Sequence, residues 1–265
     1  MRIYCAIPFG ESVPMQEQFR TTRPDRFLRE INLPSDFFPA HMVYRVRGSR
    51  LFFASGAVNI RGGVMVIGTA AYTGGGPVEG LLDDIAHEIR KRDFEGVVLD
   101  NGGDASPIHT TLAARIVSAL RPFPVYLPAH LATAVEGCVA LVQTALSGGS
   151  LERHLASAIA RYGERYVAVE CDRLRMDFTL PSKSGIGDSI GSQRLEELLA
   201  VNKRSFFSGD LHVNYFTYRD EPTRHMVLFD DGESMRQKLA LAERMGVSRA
   251  FMYYPSTYDI ITELN

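Results

Sequence analysis

From residue 63 to residue 254 the chain alternates short apolar runs with segments of helical periodicity, and this alternation limits the folds open to it. Gly63-Val64-Met65-Val66-Ile67-Gly68-Thr69-Ala70 is apolar at consecutive positions, so the strand it predicts needs cover on both faces. Val78 to Arg92 then repeats Leu81, Leu82, Ile85, Ala86 and Ile89 at helical spacing. Further strands are predicted at Phe94 to Asp100, Pro124 to Leu127, Gly137 to Val142, Arg165 to Cys171 and Arg249 to Tyr254, with a short one at Met226 to Phe229. Helices are predicted over Ile108 to Leu120, Ser150 to Tyr162, Ser192 to Val201 and Ser234 to Met245, the last stopped by Gly246. Doubly covered strands joined by crossover helices make a parallel α/β sheet.

The first quarter is less regular. Arg2 to Ile7 reads as a first strand that ends at Pro8, and not as a secretion signal, because no apolar core region or small-residue cleavage site follows. Met15 to Asn32 predicts a short helix broken near Pro24. Met42 to Ala57 predicts a hairpin turning at Arg47-Gly48-Ser49-Arg50. At 265 residues the chain matches the usual (β/α)8 barrel of about 250 better than an open doubly wound sheet. The expected architecture is a single barrel domain over residues 1–265, irregular in its N-terminal quarter.

Charge and composition exclude several functions. Lys and Arg number 29 against 31 Asp and Glu, so no basic excess is available for a phosphate backbone, and no nucleic-acid partner is expected. No stretch reaches the roughly 18 apolar residues of a membrane-spanning helix. Cys5, Cys138 and Cys171 are far apart and odd in number, which fits buried thiols in a reducing compartment and predicts a cytoplasmic protein. The seven histidines form no HxH or HExxH spacing, so no metal is expected. Tyr72-Thr73-Gly74-Gly75-Gly76-Pro77 lacks the lysine and serine of a P-loop and the spacing of a dinucleotide loop, and no cofactor is predicted.

Two stretches resemble the chitinase-like glycoside hydrolases of family 18, which are (β/α)8 barrels. Phe94-Glu95-Gly96-Val97-Val98-Leu99-Asp100-Asn101-Gly102 is similar to the fourth barrel strand and its DGxDxDxE pattern. Phe229-Asp230-Asp231-Gly232-Glu233-Ser234 with Lys238 is similar to the DD-x-x-S-x-x-x-K approach to the eighth strand. The resemblance covers roughly residues 63 to 260 and makes Gly63 to Ala70 the third strand, Cys138 to Thr144 the sixth and Tyr166 to Asp172 the seventh. It implies that Asp100 matches the last Asp of the pattern, while Gly102 stands where the family keeps the glutamate that protonates the glycosidic oxygen. Gln143-Thr144-Ala145-Leu146 replaces the Met-x-Tyr-Asp signature, and the chain has no tryptophan to floor the sugar site.

In a barrel, function gathers at the C-terminal strand ends. Candidate ligand-binding residues there are Asp100, Asn101, Gln143, Glu170, Asp172 and Tyr254, with Tyr253 or Tyr254 as a stacking ring. Asp100, Glu170 and Tyr254 are expected to share one concave pocket. Glu170 and Asp172 alternate onto one strand face, where close like charges separate acid and base roles; an ion-pair network with Arg173 and Arg175 is the plainer alternative. Asp104 is a candidate acid if the Gly102-Gly103 turn swings it inward, and otherwise a loop or helix-start carboxylate. The expectation is a chitinase-like barrel without standard glycosidase activity that binds a carbohydrate or other small ligand. The alternatives are a divergent hydrolase using Asp104, Glu170 or Asp172, and a non-catalytic scaffold.

Overall fold

The computed structural model describes residues 1–8, 37–53, 61–182 and 185–264. The predicted helix within Met15 to Asn32, and the hairpin's last residues from Ala54, lie outside the described residues.

Eight strands close into a parallel barrel. They are β1 (Arg2–Pro8), β2 (Phe37–Arg47), β4 (Val64–Gly68), β5 (Val97–Asp100), β6 (Val125–Pro128), β7 (Val139–Gln143), β8 (Val167–Glu170) and β14 (Arg249–Tyr253). Each pairs in parallel with the next, and β14 returns to β1 with Arg2 opposite Arg249 and Tyr4 opposite Phe251. β3 (Arg50–Phe53) is an antiparallel flap on β2 beyond the predicted Gly48 turn. The third to eighth barrel strands fall where the sequence pattern puts them.

Side-chain alternation divides two cores. Tyr4, Val66, Val98, Tyr126, Leu141, Ala168 and Phe251 point inward and fill the barrel. Met65, Ile67, Leu99, Val142 and Val169 point outward and meet the helices. Helix α1 (Glu79–Arg92) lays Leu81, Ile85 and Ile89 on that surface, and α2 (Pro107–Ala119) lays Leu112 and Ile116 there. The short α3 (Ala129–Ala132) and α4 (Leu151–Tyr162) continue the outer layer, with Ser150 capping α4 by accepting from the Arg153 amide. At the barrel's N-terminal end, Arg2 lies 3.8 Å over the Phe38 ring and pairs with Glu95 at 2.7 Å.

A second sheet interrupts the alternation between β8 and β14. Strands β9 (Arg175–Leu180), β10 (Asp188–Ser189), β11 (Phe206–Ser208), β12 (Val213–Asp220) and β13 (Thr223–Phe229) are antiparallel in the order β10-β9-β13-β12-β11. Helix α5 (Ser192–Val201) packs Leu195 and Leu198 against Phe216, Val227 and Phe229 of this sheet. The predicted strand at Met226 to Phe229 therefore belongs to this insertion, which the sequence pattern otherwise missed. After it come α6 (Gly232–Arg244), β14 and the short α7 (Tyr254–Thr257). No helix among the described residues is long and apolar enough to cross a membrane.

Gly63, just before β4, has φ +67°, and a Cβ there would stand 2.0 Å from the Pro39 carbonyl oxygen. Gly63→Ala is expected to cost about 2 kcal/mol through strain and the backbone clash, read as a lower midpoint in urea unfolding.

Candidate functional site

The inward register carries through to the C-terminal mouth. Two residues beyond Val98 stands Asp100; beyond Leu141, Gln143; beyond Ala168, Glu170 and then Asp172; beyond Phe251, Tyr253. Gln143 sits opposite Glu170 on the neighbouring strand, and Phe251 opposite Glu170 on the other side. Burial pushes the Glu170 carboxyl up to about 7, the charges of Asp172 and Asp100 push the same way, and a hydrogen bond from the Gln143 side chain opposes them. Burial also raises Asp172, and burial together with Asp172 raises the Tyr253 phenol. Asp100, Gln143, Glu170, Asp172 and Tyr253 therefore converge on one place.

Arg173 and Arg175 leave these acids alone. Arg173 Nη1 donates to both carboxylate oxygens of Asp259 at 2.7 and 2.6 Å, and its Nε donates to the Asp230 carbonyl at 2.9 Å. Arg175 reaches Ser192 Oγ and the Ser256 carbonyl. Of the expected ion-pair network only the Arg173 pair is present, and its acid is Asp259.

The other sequence candidates are placed elsewhere. Asp100 also closes its loop, accepting from the Gly102 amide at 3.0 Å, while Gly102 itself adopts φ +64°. Asn101 is 1% exposed and off the inner face; its Nδ2 donates to the Asp104 carbonyl and lies 3.0 Å from His130 Nε2. Asp104 sits exposed in the loop after β5. It accepts from the Ser106 amide at 2.8 Å at the start of α2 and lies 3.3 Å from His109 Nδ1. Tyr254 has the opposite parity to Tyr253, opens α7 and packs on the outer core near Tyr258. It does not share the cavity face of Asp100 and Glu170. A 460 Å3 depression lies at the opposite end of the barrel, lined by residues 132–138 ahead of β7 and by Tyr166 ahead of β8. Among the described residues no group of three or more His, Cys, Asp or Glu is placed to hold a metal ion.

The second family-like stretch has a structural explanation. Asp230 and Lys238 are both fully buried, and Lys238 Nζ donates to Asp230 Oδ2 at 2.6 Å. Asp230 also accepts from Ser234 Oγ at 2.7 Å and from the Leu174 amide at 2.8 Å. Asp231 caps α6, accepting from the Ser234 amide while its own amide donates to Ser234 Oγ. The motif thus ties the exit of β8, the insertion's last strand and α6 into one knot beneath the mouth.

This fold is that of the chitinase-like barrels. The chain is similar to the Bacillus cereus spore cortex-lytic enzyme SleL (TM-score 0.64, 12% identity, 99% of this chain and 74% of that one). It is also similar to a class V chitinase from Nicotiana tobaccum in complex with NAG4 (TM-score 0.61, 10% identity, 85% of this chain and 90% of that one). A third similar structure is YKL-39 in the presence of chitooligosaccharides (GlcNAc4), at TM-score 0.59 and 12% identity over 100% of this chain and 98% of that one. No protein-family model and no curated protein matches the sequence.

Proposed function

We propose that this barrel binds an oligosaccharide of N-acetylated sugars at its C-terminal mouth and does not hydrolyse it by the family's usual acid. The observation that carries this reading is the gathering of Asp100, Gln143, Glu170, Asp172 and Tyr253 on the inner face, next to a backbone turn at Gly102 where the resemblance calls for a glutamate. Carboxylates and an amide suit sugar hydroxyl and acetamido groups, and a tyrosine ring suits a sugar face. The oligosaccharides named for the tobacco chitinase and YKL-39 structures support the ligand class. The reading takes residues 1–265 as one domain. It makes the protein cytoplasmic, consistent with three buried free thiols.

Titration calorimetry with chitotetraose tests this. Micromolar binding weakened about tenfold by Tyr253→Ala or Gln143→Ala is expected, with Asp104→Asn unchanged. No heat and no thermal shift across a glycan panel would favour a scaffold instead. One observation favours a second reading as divergent hydrolase: Glu170 keeps its proton up to about pH 7 beside a second carboxyl, as a general acid must. Reducing-end release that disappears in Glu170→Gln would establish it.

A further inference from the structure

Ser106 stands at the position that caps α2, yet its side chain makes no capping hydrogen bond. The hydroxyl is turned to another side chain: Ser106 Oγ lies 3.2 Å from His109 Nδ1. The second ring nitrogen of His109, Nε2, lies 2.9 Å from the Thr69 carbonyl oxygen. A carbonyl only accepts, so Nε2 carries the proton and the neutral ring offers Nδ1 as the acceptor of the Ser106 O–H. Thr69 is itself held in place, its amide donating to the Asp100 carbonyl. His109 is 3% exposed, whereas Ser106 is partly open to solvent. A hydroxyl within reach of a base, with that base oriented by a third group, is the arrangement of an activated nucleophile.

The surroundings suit the charges that such a serine develops. Asp104 Oδ2 lies 3.3 Å from the same Nδ1, and Asp104 Oδ1 accepts from the Ser106 amide at 2.8 Å. A carboxylate has nothing to donate to the neutral ring, but it stabilises the imidazolium that forms once Nδ1 has taken the serine proton. Pro107 has no N–H, and the Ile108 amide has no intrahelical acceptor, so the positive end of α2 offers a donor beside Ser106. In the same loop the buried Asn101 Oδ1 has no hydrogen-bond donor. The group follows β5 at the C-terminal end of the barrel, where Asp100 of the mouth closes the loop through the Gly102 amide.

We propose that Ser106 is a nucleophile with His109 as its base, and that this site hydrolyses esters of a short acyl group such as acetyl. Ser106 Oγ attacks the ester carbonyl as its proton passes to His109 Nδ1. The tetrahedral intermediate collapses, the bond from the acyl carbon to the alcohol oxygen breaks, and Nδ1 returns the proton to that oxygen. Water then attacks the Ser106 ester and gives a proton to Nδ1. The carboxylic acid departs as Ser106 Oγ recovers its hydrogen. Gly102 to Ala105 beside the serine are exposed, and a Cβ on Gly103 would meet nothing within 4 Å, so no apolar slot waits for a long acyl chain. That restricts the substrate to small acyl groups. The proposal goes beyond glycan binding and does not depend on it.

The test combines turnover of p-nitrophenyl acetate with labelling by a fluorophosphonate, both on the full chain. The label is expected on Ser106, located by peptide mass spectrometry, and labelled protein should lose its turnover. Ser106→Ala and His109→Gln should each lower turnover by about 100-fold or more, with thermal midpoints close to wild type. Glutamine keeps an N–H for the Thr69 carbonyl but cannot take the serine proton. Should His109→Gln fail to fold, the site of labelling in the unaltered protein and the Ser106→Ala rate decide the matter. A label absent from Ser106, turnover unchanged in Ser106→Ala, or undiminished labelling in a folded His109→Gln overturns the proposal.

Discussion

Lys238→Met is expected to destabilise the protein by about 3–5 kcal/mol, the largest effect of any single change considered. Methionine matches the lysine stem in volume, so the loss is not a cavity effect. It comes from leaving Asp230 ionised at zero exposure with only Ser234 Oγ and the Leu174 amide to hold it. Guanidinium unfolding of the single variant and of Lys238→Met with Asp230→Asn checks the mechanism. The double variant should recover much of the loss, because Asn removes the stranded charge and can still accept from Leu174. A cost under about 1 kcal/mol in the single variant would mean that the pair is not desolvated as the structure has it.

Glu170→Gln acts in the opposite direction and depends on pH. The ordinary carboxyl value is 4.5, and in the fold Glu170 stays protonated to about 7. A raised acid makes the folded state bind the proton more strongly than the unfolded chain does, so wild-type stability falls as pH rises from 4.5 to 7 and stays low above that. The gap between the two values corresponds to about 3 kcal/mol. Glutamine keeps the shape and the acceptor facing Gln143 but cannot ionise. The variant should be more stable than wild type by up to about 3 kcal/mol at pH 8, with the gain vanishing at pH 4. Equal denaturation midpoints at pH 8 would show that water reaches the carboxyl freely. Such a gain would also mark Glu170 as a residue kept for its chemistry at the expense of stability.

Those two residues show what the sequence could reveal. The barrel strands were readable because burial on both faces demands unbroken apolar runs such as Val64-Met65-Val66-Ile67 and Val139-Ala140-Leu141-Val142. The inserted sheet was not, because both of its faces are only partly covered: Val213-Asn214-Tyr215-Phe216-Thr217-Tyr218 mixes half-exposed aromatics with polar residues and shows neither an unbroken apolar run nor a clean alternation. The dense β-branched and aromatic content of that stretch was the available signal. Asp100 and Gln143 were nominated because they stand at C-terminal strand ends, Asp100 also by the family-like pattern, and Glu170 and Asp172 because strand parity puts them on one face. Tyr254 was chosen over Tyr253 although the two lie on opposite sides of the sheet, and only the inward placement of Phe251 fixes the parity. The pairing of Arg173 with Asp259 was beyond reach, since the partner lies 86 positions along the chain.

The seam between β8 and β14 has a consequence for biosynthesis. The strands that complete the ring are separated by the whole antiparallel insertion, and only two register pairs join them, Ala250 with Val169 and Phe251 with Glu170. A ribosome must therefore release the chain through Tyr253 before the circle can shut. Until then Tyr4, Tyr126 and Ala168 line an unsealed trough, a sticky surface that favours early engagement of a chaperone.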